Sequence, residues 1–210
     1  MFYTSFYSNK LTDHRLRGQV APPVTIAIGM LTSTKGPRAN STAYLLNDTV
    51  SLTANSGKTN LYKVTTAGTS AAAQGALYPG LDGEVITDGT AVLTEQAAAM
   101  RAGTAVEAGY TGYARASVAA SLANWAGTQG AGTTVASSGT GTPQTSNNVV
   151  LTMGAASTGT TAFVWGFAEF DAASAGNMLA TKGLTVVKTI NNGDPAATFA
   201  IAQLLTSVDI

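Results

Sequence analysis

The chain has 210 residues, no cysteine and a formal net charge of zero, from 11 Lys and Arg against 11 Asp and Glu. Charged residues make up 10% of it, against about 25% in an ordinary soluble domain, so it lacks the dense basic stripe that a nucleic-acid backbone requires. The missing thiols exclude disulfides and thiolate metal sites, and the apolar run at 24–31 is far too short to span a bilayer.

Small residues replace the missing charge: Ala, Gly, Thr and Ser, which suit close sheet stacking and long surface contacts. A neutral, charge-poor surface is poorly protected against self-association. Two explanations stand side by side: a surface largely covered by partners in its working state, or a soluble β-domain of biased composition. The first residues, MFYTSFY, lack the basic flank and long apolar run of a secretory signal. The expectation is a protein that leaves the cell, if it does, by another route.

Taken in chain order, 2–7 is an aromatic lead in which Phe2, Tyr3, Phe6 and Tyr7 crowd together. It reads either as an arm packed on its own domain or as an arm docked on a neighbouring subunit. Residues 11–17 predict a short helix, stopped by Gly18 and barred from extension by Pro22 and Pro23. A strand follows at 24–31, with Val24, Ile26, Ile28 and Met30 on one face. Short strands are predicted at 43–53 and 61–66, and a hairpin at 85–94 turns at Asp88 and Gly89. Residues 95–102 carry good helix formers and end at Gly103.

From Tyr110 the pattern is that of a sandwich. Strands are predicted at 113–122, 149–153, 163–170, 178–180, 184–190 and 198–205. A low-complexity loop occupies 127–148, broken at Pro143, and NNGDP at 191–195 is a strong turn. In the central strand, Phe163, Trp165 and Phe167 are assigned to one face and Val164, Gly166 and Ala168 to the other. No heptad, collagen triplet or fixed-period repeat encodes a fibrous shaft.

No catalytic arrangement emerges. GKT at 57–59 resembles the end of a phosphate loop, but Leu52 stands where the required glycine should be. His14, the one histidine, lies in the predicted helix beside Asp13 with no nucleophile elbow anywhere, and reads as a solvated surface residue. Glu169 and Asp171 sit two apart on one strand, which rarely places carboxylates across a substrate, so a solvated edge or interface contact is expected. Asp82, Glu84 and Asp88 miss the EF-hand spacing for calcium. Trp125 and Trp165 could stack on sugars, although burial in a sandwich core is the default for Trp. No cofactor or metal is predicted.

Several short motifs in a fixed order resemble a family of small tailed-phage virion proteins, tail-fibre-like or capsid-decorating. They are LTDHRLRG at 11–18 followed by PPVTI at 22–26, GYAR at 112–115, TSNN at 145–148, FAEFDA at 167–172, GNML at 176–179 and GD at 193–194. The stretches LYKVTTAGTS at 61–70 and VITDGT at 85–90 resemble a small β module inserted into other phage surface proteins. The chain departs from the family pattern at Glu169, where an aliphatic residue usually separates the two phenylalanines; that face is expected to be solvated or engaged with a partner.

The fold expected is all-β, an antiparallel β-sandwich (jelly-roll-like) with a short N-terminal helix and a small β-rich insert. Residues 1–54 would form the arm, helix and first core strands, 55–105 the insert and its connecting helix, and 106–210 the rest of the sandwich. The resemblance implies a non-enzymatic virion structural protein, made in the host cytoplasm. The leading expectation is a decoration or cement protein on the outer capsid surface, with the major capsid protein and further copies of itself, as dimer or trimer, for partners. The alternative is a tail-fibre or receptor-binding component, in which the insert and the 127–148 loop contact a host-surface glycan. Neither nucleic acid nor membrane is an expected partner. The candidate interaction residues are Phe2, Tyr3, Phe6, Tyr7 and Glu169.

Overall fold

The structure is a computed structural model that describes residues 2–17, 23–53, 59–75, 83–137, 144–157 and 161–207. Its elements in order are β1 (Phe2–Tyr3), α1 (Ser5–Arg17), β2 (Thr25–Ser33), β3 (Ala43–Tyr44), β4 (Thr49–Thr53), β5 (Thr59–Thr66), β6 (Gly68–Thr69), β7 (Val85–Asp88) and β8 (Ala91–Glu95). There follow α2 (Ala97–Arg101), β9 (Ala116–Ala119), β10 (Gln144–Ser146), β11 (Leu151–Thr152), β12 (Ala162–Phe170), β13 (Met178–Ile190), β14 (Thr198–Phe199) and β15 (Leu205–Ser207). The fold is all-β with antiparallel sheets and a sandwich-like layering. Among the described residues no helix is long and apolar enough to cross a membrane.

The framework is a five-stranded sheet in the order β1-β13-β12-β2-β9. Both faces of this sheet are buried. On one, Ile28, Met30, Val164 and Phe167 pack with Tyr110, Leu151, Met153 and Leu204, beneath the two-stranded ladders β11–β14 and β10–β15. On the other, Ala27, Leu31, Trp165, Ala168, Phe170 and Met178 meet Leu61 of β5 and Ala97 and Met100 of α2. The even-numbered face predicted for β2 is therefore correct for Ile26, Ile28 and Met30, whereas Val24 lies outside the strand and is exposed.

The face assignment of β12 requires correction. Trp165 and Phe167 lie on opposite sides of the sheet, because the ladder to β2 skips one residue between Val164 and Gly166. A bulge adds one unpaired residue and so reverses the alternation beyond it. Against β13 the same place is wider: Val164 pairs with Lys188 and Gly166 with Gly183. The predicted strands 178–180 and 184–190 are consequently one continuous strand. Gly183 is needed there, since a Cβ on it would collide with the Thr59 carbonyl oxygen of β5. Conversely, the strand predicted at 198–205 divides into β14 and β15 around a turn that holds Ala202 at φ +64°.

The helix also starts earlier than predicted, at Ser5, so Phe6 and Tyr7 belong to α1. Thr4 explains this. Its hydroxyl accepts from Tyr7 N at 3.3 Å, as a helix N-cap does, while donating to the Met178 carbonyl at 2.6 Å. The helix is thus anchored to β13 where β1 joins the sheet. Gly18, its predicted stop, and Pro22, the first of the two prolines that bar extension, lie outside the described residues.

The small sheet, β4-β5-β8-β7, has its own core of Tyr44, Val50, Leu52, Tyr62, Val64, Ile86 and Leu93. β3 and β4, grouped by sequence with the first core strands, pair with β6 and β5 respectively. Gly89, at φ +69°, makes the predicted hairpin turn, and its position tight against the Thr69 carbonyl leaves no room for a side chain.

Candidate functional site

Glu169 stands in the middle of a row that crosses the sheet. Its neighbours in register are Ala180 of β13 and Ile28 of β2; Ala180 in turn pairs with Tyr3 of β1. Side chains in such a row share one face, so Tyr3 and Glu169 project to the same side. Residue 7 reaches that side from α1, where the Tyr3 and Tyr7 rings lie 5.2 Å apart at 46°.

These three residues line a cleft of about 490 Å³ together with Ile26, Leu122, Trp125, Thr145 and Thr206. Glu169 is 8% exposed, and Thr206 Oγ1 donates to its Oε1 at 2.7 Å. Burial raises the carboxyl pKa, opposed by the Thr206 hydrogen bond. The Tyr7 phenol is also raised, by burial first and by the nearby Glu169 charge second. The expectation of a solvated Glu169 is therefore corrected: the sheet row buries it and β15 covers it. Asp171, two residues on, turns away to accept from Asn177 N and Nδ2 at 2.6 and 2.8 Å.

The structure gathers Tyr3, Tyr7 and Glu169 and leaves Phe6 apart. Phe6 is exposed on α1, with Lys10 Nζ 5.7 Å from its ring centroid. Phe2 contributes backbone pairing to Thr181. Trp125 and Thr206 were not singled out as partners of Glu169. Their strands and loops are distant in sequence, and only the odd carboxyl between two phenylalanines pointed to the place.

The other chemistry considered from sequence resolves into structure. Asp88 is buried against Arg38, with Nε and Nη2 donating to its two oxygens at 2.7 and 2.8 Å. Glu84 accepts from the Tyr62 hydroxyl at 3.1 Å, and Asp82 lies outside the described residues. Residues 57 and 58 of the rejected phosphate loop also lie outside them, and Thr59 begins β5. Trp165 is a core residue whose Nε1 donates to the Thr32 carbonyl at 3.2 Å. His14 lies within α1. Among the described residues no three His, Cys, Asp or Glu side chains converge.

The motifs that carried the resemblance also serve the fold. Arg115 of GYAR donates through Nε and Nη2 to Glu107 at 2.7 Å each, and through Nη1 to the carbonyls of Ala172 and Ala175 at 2.8 and 2.6 Å. Tyr113 Oη donates to Glu107 Oε1 at 2.6 Å and accepts from Met30 N at 3.0 Å. Asn147 of TSNN is fully buried. Its Nδ2 donates to the Val149 and Ala200 carbonyls at 2.8 Å, and its Oδ1 accepts from Leu204 N at 2.9 Å. These side chains clasp the β12–β13 turn and the C-terminal ladders onto one sheet.

The framework is thus charge-poor and all-β, and its motif residues hold its loops together. The profile of the family described as podophage GP4 fiber I protein gp80 matches residues 90–207, more than half of the chain. The chain is a member of that family. Among curated proteins, none matches it.

Proposed function

We propose that the chain is a non-enzymatic component of a podophage fibre, working as an assembly of several copies. The observation that carries this reading is the extent of the family match. Residues 90–207 contain β9 to β15, hence the two longest strands of that region and the entire Arg115 and Asn147 clasps. The matched stretch thus carries three strands of the five-stranded sheet, β9, β12 and β13, together with β8 of the small sheet. The small sheet with its separate core is proposed as an insert on that framework, and Phe6 on the open side of α1 as a contact for a second copy. Gold-labelled antibody against the chain, viewed on intact particles, tests the location. Label on tail-associated fibres supports the proposal, and label spread evenly over the head refutes it.

A second reading, a decoration protein on the outer capsid surface bound to the major capsid protein, draws on one observation. Large apolar side chains such as Val24, Leu45, Val85 and Val106 are exposed on a surface with few charges to keep copies apart. Apolar burial at about 25 cal/mol per Å² becomes substantial when repeated over a shell. The same labelling experiment separates the two.

A further inference from the structure

We propose that the gap between the five-stranded sheet and the small sheet docks an extended acidic peptide of a partner protein, with a carboxylate side chain of that peptide held by Lys63 Nζ and Ser33 Oγ. Side-chain alternation brings these two groups to the same gap. Along β2, Ala27 and Leu31 pack on the face toward β5 and α2, so Ser33, two residues beyond Leu31, points the same way. Along β5, Leu61 packs against that face, and Lys63 follows it by two. In register Lys63 lies between Thr49 of β4 and Thr94 of β8, and Gln96 N donates to the Leu61 carbonyl at 3.0 Å. The cleft lined by these residues has a volume of about 650 Å³.

Two groups in this cleft lack the partners that burial demands. Ser33 is 6% exposed, and among the described residues its Oγ has no hydrogen-bond partner. A buried hydroxyl left unpaired costs stability that an apolar residue would avoid. Lys63 is half-buried, and its side chain makes no ion pair or hydrogen bond among the described residues. Asp48, next to Thr49, is already taken: it pairs with Lys35 at 3.7 Å and accepts from Leu45 N at 2.8 Å. No Asp or Glu is among the described lining residues, so a cation and a hydroxyl face the gap with no anion to meet them, and charge complementarity selects a carboxylate. The rest of the lining suits a peptide backbone. Gln96 Nε2 donates to the Thr94 carbonyl at 2.8 Å, which leaves its Oε1 to accept a peptide N–H, and the Asn47 amide lies in the same cleft. Leu61 and Val106 add apolar surface. The volume is in the range that holds an organic ligand, whereas a small free anion would leave most of it to water.

The docking does not depend on where the chain sits on the particle. The test is an NMR titration of the isotope-labelled full chain with the blocked pentapeptide acetyl-AADAA-amide, with acetyl-AANAA-amide and sodium acetate as parallel arms. The aspartyl peptide is expected to give saturable shifts at the amides of Ser33, Lys63 and Gln96. The asparaginyl peptide and acetate bind at least tenfold more weakly. K63Q weakens the aspartyl peptide at least tenfold. S33A weakens it severalfold yet melts no lower than wild type, since that hydroxyl has no partner in the fold, and it reads the same cleft if K63Q does not fold. K188Q, on β13 in a separate cleft beside Phe199, leaves binding unchanged. Absence of saturable shifts, equal binding of the asparaginyl peptide or of acetate, or wild-type affinity in both K63Q and S33A overturns the proposal. Since the titration uses the isolated chain, its failure removes the docking site and leaves the fibre location to the labelling experiment.

Discussion

The Arg115 guanidinium carbon lies 3.4 Å from the centroid of the Phe170 ring, at the end of the central strand. Stacking and ion pairing act together here, since the same guanidinium forks onto Glu107 with its side chain 9% exposed. R115M leaves Glu107 without its cation and frees the 171–177 turn, and is expected to cost about 3 kcal/mol, the low end for a broken buried pair because Glu107 is partly solvated. R115K recovers only part of this, because an ammonium neither forks nor stacks as a guanidinium does. Urea unfolding of the two variants measures both effects; equal stability of R115K and wild type would show that the fork contributes nothing.

The small sheet has a comparable lock of its own. The Arg38 and Asp88 side chains are 2% and 0% exposed, and the pair also binds the Ala71 backbone at both its carbonyl and its amide. D88N or R38M alone is expected to destabilise by about 3–5 kcal/mol, while the apolar double replacement R38M/D88L recovers most of the loss. Thermal melting of the two single variants and the double variant against wild type measures this.

Asn147 illustrates the cost of unmade hydrogen bonds. N147A would strand the carbonyls of Val149 and Ala200 and the amide of Leu204 in the interior. At about 1–3 kcal/mol for each buried group left unpaired, the expected loss is about 3 kcal/mol or more. Hydrogen exchange should show it first at β14 and β15.

Glu169 makes stability depend on pH. Burial raises its carboxyl pKa in the folded chain, so the folded state holds a proton that the unfolded state gives up. The contribution of the neutral carboxyl is present at low pH. It falls away as pH climbs from the ordinary carboxyl value toward the raised one. Glu95, raised chiefly by burial, acts in the same direction. E169Q is therefore expected to melt higher than wild type at neutral pH and to lose part of the stability that falls away as pH rises above the ordinary carboxyl value, whereas an E169Q melting point below wild type at pH 7 would contradict the assignment.

The sequence told most about elements whose pattern is local. The Asp88-Gly89 hairpin, the helix ending at Gly103 and the apolar face of β2 depend on neighbours a few residues away, and all are present. What alternation could not show was the bulge at Trp165, because an inserted residue leaves no compositional mark while reversing every side chain beyond it. The early helix start depended on Thr4, a residue whose second partner is 174 positions away. The cleft was half legible: Glu169 and the tyrosines stood out by type, but Thr206 and Trp125 meet them only through the sheet. Deleting 2–7 to test an intersubunit arm would also remove fully buried Thr4, so F6S on the exposed side of α1 is the cleaner variant.

That the chain is a fibre component is tested most directly by counting. Quantitative mass spectrometry of purified particles gives the copies of this chain relative to the major capsid protein. The fibre reading predicts a small fixed number per particle, lost together with the fibres when these are sheared off. Hundreds of copies in constant ratio to the capsid protein would contradict it and place the chain on the capsid lattice.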